Sequence, residues 1–273
     1  MIRRFISSLV LLLLSIHVQA APKLSHGAKV ILITLDPDQG ELYAAFGHSA
    51  FRIKDDSTGI DIFYNYGIFD FDQPNFYLNF TKGQLYYMLG TGRYDRYLGY
   101  LKRTNRTVRE QTLDLSVEDI QAMFDYLQEN AKPENRNYYY NYCYDNCATR
   151  IRDVLDDVLG NRLTYDYTYA SDQLTYRGLM DRYLDQQPWG DLGIDLCLGS
   201  EIDLVANGAA YMYMPEFVER GFDLATITED GVTRPLVSEK LNVHQAIVGN
   251  QADRFFSPTH LFVLIFFVVG LLT

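Results

Sequence analysis

Residues 46–64 read Phe-Gly-His-Ser-Ala-Phe-Arg-Ile-Lys-Asp-Asp-Ser-Thr-Gly-Ile-Asp-Ile-Phe-Tyr. Ser49 to Ile53 alternates in polarity, as a half-buried strand does. Asp55-Asp56-Ser57-Thr58-Gly59 is turn chemistry, because Asp and Ser side chains bond their own backbone and glycine accepts positive φ. Ile60 to Tyr64 is a second β-branched and aromatic run. The stretch predicts a β-hairpin with His48 at the entry to its first strand. If Lys54 pairs with Gly59, counting back along both strands sets His48 opposite Asn65. A slip of one residue would turn either side chain to the other face.

Working outward, Val30 to Leu35 is an apolar run that predicts a strand, and Gln84–Leu89 and Thr107–Leu115 are further strand candidates. Ser116 is placed to cap a helix whose apolar face is Val117, Ile120, Met123, Phe124 and Leu127, with Pro133 beyond its end. Asn146 is placed to cap a second. Its stripe is Ile151, Val154, Leu155, Val158 and Leu159, and Gly160-Asn161 stops it. Pro215–Arg220 predicts a short helix closed by Gly221. Between 165 and 215, Gly190, Gly193, Gly199 and Gly208 interrupt every periodic pattern. Strands and helices do not alternate regularly, so the expected class is α+β.

Composition sets bounds on function. The 273 residues carry a net charge of −11, and 48% are hydrophobic, so the chain is neither disordered nor basic enough for a broad nucleic-acid footprint. Three cysteines are too few for a disulfide scaffold. Arg3 and Arg4, the apolar run Leu9–Leu14 and Val18-Gln19-Ala20 give residues 1–20 the form of a signal peptide. Its removal takes two arginines and no acid, leaving −13. That places residues 21–256 outside the cytoplasm as the functional domain. Leu261 to Leu272 carries no charge, and 259–273 is expected to be the start of a transmembrane helix that the chain does not complete.

Cys147 falls at the first helical position, in Asp145-Asn146-Cys147-Ala148-Thr149-Arg150. Free N–H groups and the positive end of the helix dipole stabilise a thiolate there. Cys147 stands four residues before Ile151, at the top of the apolar stripe, and so points toward the body of the domain. An imidazole nearby can take the thiol proton and later deliver one to a leaving group. His48 is the candidate base and Asn65 the candidate for orienting it, as third members of triads do. His26, His244 and His260 lie in polar or irregular segments and are expected to be solvated. Neither an HExxH nor a CxxC pair occurs, so no metal or cofactor is expected. Arg150 and Arg152 are expected on a salt-bridged surface, and most of the 22 tyrosines in ordinary packing.

Five stretches carry a family resemblance: FGHSAFRI (46–53), YNYGIFDF (64–71), GQLYYMLG (83–90), NRTVREQTLDLS (105–116) and NCATRIRD (146–153). They resemble, in order, the extracytoplasmic domain of Lnb-type proteins, which are lipoprotein intramolecular transacylase-like. The resemblance implies a permuted papain-like, NlpC-type thiol domain. In it an antiparallel sheet and a cysteine-bearing helix put the histidine before the cysteine, at His48 and Cys147. It implies an acyltransferase acting through a thioester on a lipoprotein or lipid substrate at a membrane, with no nucleic-acid partner. An envelope cysteine peptidase or amidase, a lipid hydrolase, and a non-catalytic envelope-binding module of the same fold are the alternatives. Cys143 stands where the family usually has an aromatic residue, and is open to bridging Cys197 or to competing with Cys147.

Overall fold

Lys29–Leu35, seven residues rich in β-branched side chains, forms strand β1 in the middle of the main sheet. The computed structural model describes residues 22–69, 72, 74–75, 78–79, 85–247 and 256–272. The expected signal peptide, Gln84 at the start of an expected strand, and part of two of the family-like stretches lie outside the described residues. The sheet has seven strands in the order β10-β5-β1-β2-β3-β4-β6. They are β1, β2 (His48–Asp55), β3 (Ile60–Ile68), β4 (Leu85–Arg93), β5 (Val108–Leu113), β6 (Asn137–Tyr140) and β10 (Val237–His244). Every neighbouring pair is antiparallel. A small second sheet joins β7 (Leu163–Thr164), β8 (Thr226–Glu229) and β9 (Val232–Pro235).

Eight helices occur among the described residues: α1 (Tyr94–Arg103), α2 (Val117–Asn130), α3 (Cys147–Leu159), α4 (Tyr176–Leu184), α5 (Pro188–Leu198), α6 (Gly208–Tyr211), α7 (Pro215–Leu224) and α8 (Pro258–Leu272). The α+β class is therefore as expected. One face of the sheet, with Val30, Leu32, Phe51, Ile53 and Tyr64, is covered by α2, α3 and α7 in the larger core. The other, with Ile33, Leu35, Ala50 and Val108, is covered by α1 through Tyr94 and Leu101. Arg52 lies on this second face. It pairs with Asp61 at 2.7 and 2.9 Å and Glu110 at 3.0 Å, beneath the Tyr94 ring, so one guanidinium ties β2, β3 and β5. A buried charge survives only when paired in this way.

Capping signals perform as read. Ser116 Oγ accepts from the Asp119 N–H at 3.1 Å and begins α2. Gly160, with φ +56, ends α3. Two expectations are corrected. The Thr107–Leu115 strand is Val108–Leu113, its last residues giving way to the Ser116 cap. The helix begun at Pro215 runs through Gly221 to Leu224, because Gly221 serves packing: a Cβ there would lie 3.0 Å from Met212 Cε and 3.2 Å from Tyr169 Oη. The expected transmembrane start at 259–273 coincides with the apolar helix α8. α8 has 15 residues, about 22 Å at ~1.5 Å per residue, against a hydrocarbon core of ~30 Å. Among the described residues no helix is long and apolar enough to cross a membrane.

The hairpin turn is anchored from outside. Asp55 accepts from the Ser25 N–H and hydroxyl, both at 2.7 Å, and from the Ser57 N–H at 3.0 Å. Those bonds hold its carboxyl down at about 2, against ~3.9 in an unfolded chain. A depressed folded value means that stability is present above the unfolded value and lost as pH falls toward the folded one. Asp55→Asn should therefore lower Tm at pH 7, and the gap to the unsubstituted protein should close between about pH 4 and pH 2. Thermal melts followed by circular dichroism check this.

Candidate active site

The first turn of α3 begins at a residue that uses all of its hydrogen-bonding capacity. Asn146 Oδ1 accepts from the N–H groups of Ala148 and Thr149 at 2.8 and 2.9 Å, and its own N–H donates to Thr149 Oγ1 at 2.8 Å, closing a capping box. Its Nδ2 donates to the carbonyls of Tyr142 (2.7 Å) and Tyr213 (2.8 Å). The Arg150 N–H takes the Asn146 carbonyl at 3.0 Å. The N–H of Cys147 is the one first-turn donor without a protein acceptor among the described residues, and a free donor there suits an incoming anion.

Cys147 meets the sheet where the strands stop pairing. β2 and β3 pair from Asp55↔Ile60 to Phe51↔Tyr64, and His48–Ala50 and Asn65–Ile68 continue past the last pair. Into this region comes the helix start. The His48 imidazole, the Ser49 N–H and the Tyr140 hydroxyl all face the Cys147 sulfur closely enough to favour its charged form. Gly67 permits the approach: its φ is +88, and a Cβ on it would stand 3.4 Å from Cys147 Cβ and 3.3 Å from Tyr140 Cε2. The register differs from the expected one by two residues, since Lys54 pairs with Asp61 and not with Gly59. An even slip keeps every side chain on its face. Asn65 therefore stays on the face of His48, and His48 Nε2–H donates to its Oδ1. That leaves Nδ1 for the thiol. All three expected residues, Cys147, His48 and Asn65, are thus brought together.

The electrostatics of two cysteines separate them. Cys143 and Cys147 are each 8% exposed, so burial alone cannot distinguish them. Burial pushes the Cys143 thiol up to about 12, with the charge of Glu201 acting the same way. Burial raises Cys147 too, but the His48 charge, the His48 and Ser49 hydrogen bonds and Tyr140 outweigh it, and its thiol lies below the ordinary range. His48 moves the opposite way. Burial opposes its charge, the Cys147 thiolate more than compensates, and the imidazole is raised. Tyr140 is held well above its usual value, first by burial and then by the Cys147 charge, so its hydroxyl remains a donor. Together these favour a thiolate–imidazolium pair.

Other candidates fall elsewhere. Cys143, Cys147 and Cys197 are all free, with Cys197 exposed, so the bridge between Cys143 and Cys197 is not formed. Arg150 pairs with Asp145 and Arg152 with Asp153, as expected of a salt-bridged surface. His244, expected to be solvated, bonds the Arg106 carbonyl through Nδ1 at 2.9 Å. A cavity of about 260 Å³ lined by Thr34, Asp36, Arg109 and Glu219 lies one strand away and includes neither His48 nor Cys147. Two features were not read from sequence. One is Tyr140, which stood in the run Tyr138-Tyr139-Tyr140 and looked like packing. Alternation was the available signal, since Tyr138 is buried and Tyr139 is 70% exposed. The other is an acidic group, Asp181, Asp191 and Asp195, whose carboxylate oxygens lie within 4.8 Å of one another. Arg177 engages Asp195, and burial with the neighbouring carboxyls raises Asp191 to about 6.

A family model, that of the Lnb N-terminal periplasmic domain, matches residues 35–182, more than half of the chain. The chain belongs to this family. It is an extracytoplasmic Lnb-family protein, and the match spans every residue of the assembled site from His48 to Cys147. The helices from α5 onward lie outside it, although the Tyr213 carbonyl that fixes Asn146 comes from there. No curated protein and no solved structure matches the chain.

In this Lnb-family domain the helix start should be sensitive to its cap. Asn146→Ala strands two buried carbonyls and two N–H groups, and should cost about 2–3 kcal/mol in urea unfolding. Surviving folded protein should show slower alkylation of Cys147 at pH 7.

Proposed function

We propose that the chain is an extracytoplasmic thiol acyltransferase acting through a thioester on Cys147. The observation that carries this reading is the convergence of His48, Ser49 N–H and Tyr140 on one sulfur, with Asn65 behind His48. The thiolate attacks an ester carbonyl. The tetrahedral oxyanion is met by the Cys147 N–H and the Tyr140 hydroxyl. Collapse breaks the ester C–O bond, and His48 gives its proton to the departing alkoxide. An amine then attacks the thioester, His48 takes its proton, and the thiolate leaves. Asn65 keeps the imidazole in the tautomer that turns Nδ1 to sulfur. Histidine on a strand ahead of a cysteine on a helix is the order of a permuted papain-like site, and the reading adopts that relationship.

The substrate follows from the family resemblance: a bacterial lipoprotein, with an acyl chain moved from its glyceride to its N-terminal amine. The exposed apolar side chains of α8 support a seat at the membrane, where such a substrate resides. Mass spectrometry of lipoprotein N-termini, with and without the protein, tests transfer directly. An N-acyl terminus that depends on Cys147 supports it. Free fatty acid with unchanged N-termini would instead make the protein a hydrolase, with water as the acceptor.

Alkylation tests the dyad. Iodoacetamide at pH 7 should label Cys147 and leave Cys143 unlabelled, and His48→Ala should move the pH midpoint of Cys147 labelling upward. Cys147→Ala should abolish turnover at unchanged Tm, whereas Cys143→Ala keeps it; equal loss in both would count against Cys147 as nucleophile.

Turnover should grade the supporting residues. His48→Ala should lower kcat by about 10²–10⁴, and Tyr140→Phe by about 10². Asn65→Ala should cost less than His48→Ala, because a misoriented base still reacts part of the time.

A further inference from the structure

The two outer edges of the main sheet are built differently. β10 carries Glu239 and Lys240, which pair with Lys29 and Asp223, and two register shifts interrupt its ladder with β5. Charges and irregularities of this kind keep another chain from adding to a sheet edge. β6, at the opposite edge, reads Asn-Tyr-Tyr-Tyr, with neither charge nor proline, and pairs with β4 in unbroken register. Leu89 and Arg136 continue that register, and the Leu89 N–H donates to the Arg136 carbonyl at 2.8 Å. Hydrogen-bonded pairs alternate in an antiparallel ladder, so Tyr138 and Tyr140 turn their peptide groups toward β4. Asn137 and Tyr139 turn theirs outward, where among the described residues no strand takes them. Both residues are exposed, Tyr139 by 70%.

We infer that an extended polypeptide adds to β6 as an eighth, antiparallel strand, held by the outward peptide groups of Asn137 and Tyr139, with its N-terminus directed toward Cys147. The direction rests on the thioester reading above, in which an amine is the acceptor. The edge selects the occupant. Outward N–H and C=O groups in strand geometry are matched by another peptide backbone, and an acyl chain offers them nothing. Pairing through backbone groups also leaves the partner's sequence largely free. Every neighbouring pair in the sheet is antiparallel, and an antiparallel newcomer has its N-terminal end beside Tyr140. The Tyr140 ring extends inward past Tyr87 of β4, 4.4 Å away between centroids, to 3.3 Å from where a Cβ on Gly67 of β3 would stand. Its hydroxyl faces the Cys147 sulfur. From the added strand to β3 is three strand spacings, about 14 Å at ~4.8 Å each. An N-terminal leader of roughly four residues spans that at ~3.5 Å per residue.

The test uses the full chain and octapeptides of alternating serine and threonine, labelled with fluorescein at the C-terminus and followed by anisotropy. Methylating the N–H groups of residues five, six and seven blocks both edges of the peptide strand, and should weaken binding by about ten-fold or more. Methylating five and seven alone leaves one edge open, and should weaken it by less than about two-fold. Tyr139→Pro removes one outward N–H and no bond to β4, and should weaken binding of the unmethylated peptide; the methylated series is independent of how that variant folds. Direction is read from chloroacetyl peptides, which alkylate Cys147 with loss of chloride. A chloroacetyl group on the N-terminal amine should label Cys147 about ten-fold faster than one on a C-terminal lysine. Equal affinity of all the peptides overturns the added strand. So does a dimer in sedimentation that Tyr139→Pro dissociates and that binds no peptide. Faster labelling from the C-terminal lysine overturns the direction. The expected methylation pattern with no alkylation of Cys147 by either peptide overturns the thioester reading, and the direction with it, while the strand pairing stands.

Discussion

Everything at the site depends on how one amide is satisfied. Asn146 is 5% exposed, and burying a carboxamide without partners would cost several times what each bond returns. Its four side-chain bonds join three separate pieces of chain: its own helix, the Tyr142 loop and the Tyr213 carbonyl from the C-terminal half. None of the three can shift without orphaning a donor or an acceptor. Cys147 is the next residue and inherits this rigidity. A helix start that frayed would spread the thiol over many positions, and the sulfur would lose its convergent partners.

The two buried cysteines form an internal comparison. Cys143 and Cys147 are four residues apart and equally enclosed. Enclosure by itself makes a thiol inert, as at Cys143. Reversing that effect at Cys147 takes an imidazole that is itself stabilised in its charged form, plus two neutral donors. Each half of the pair is disfavoured by burial when alone. The stability of the charged pair is therefore a property of the geometry shared by β2, β6 and α3, and neither residue possesses it separately.

Much of this was legible in sequence wherever a signal is local. The Ser116 and Asn146 caps, the Asp55–Gly59 turn and the Gly160 stop each depend on side chains within a few residues of the backbone they bond. Parity survived where register did not. The expected Lys54 partner was two residues off, yet Asn65 still met His48, because strand faces repeat every two residues. What escaped was nonlocal. Tyr140 gained its role from Gly67 and Cys147, residues distant in sequence that meet only after β3, β6 and α3 have docked. Gly221 looked like a terminator, although Met212 and Tyr169 are what require it. The glycine-broken stretch 165–215 hid three helices, α4 to α6, since each is short and packs mainly by tertiary contact.

The position of the site within the sheet has a physical logic of its own. A strand end that outruns its partner leaves peptide groups unpaired, and in a protein interior these must find other partners. At the end of β2 the Ser49 N–H finds the Cys147 sulfur. The same loss of pairing lets β3 bulge between Asn65 and Ile68, and the positive φ of Gly67 belongs to that bulge. The bulge clears room for a helix N-terminus, and the unpaired N–H gives an anion there a partner. A continuous ladder from β2 to β3 would have closed both openings. The irregularity that interrupts the sheet is thus the feature that gives the buried Cys147 thiol its polar surroundings.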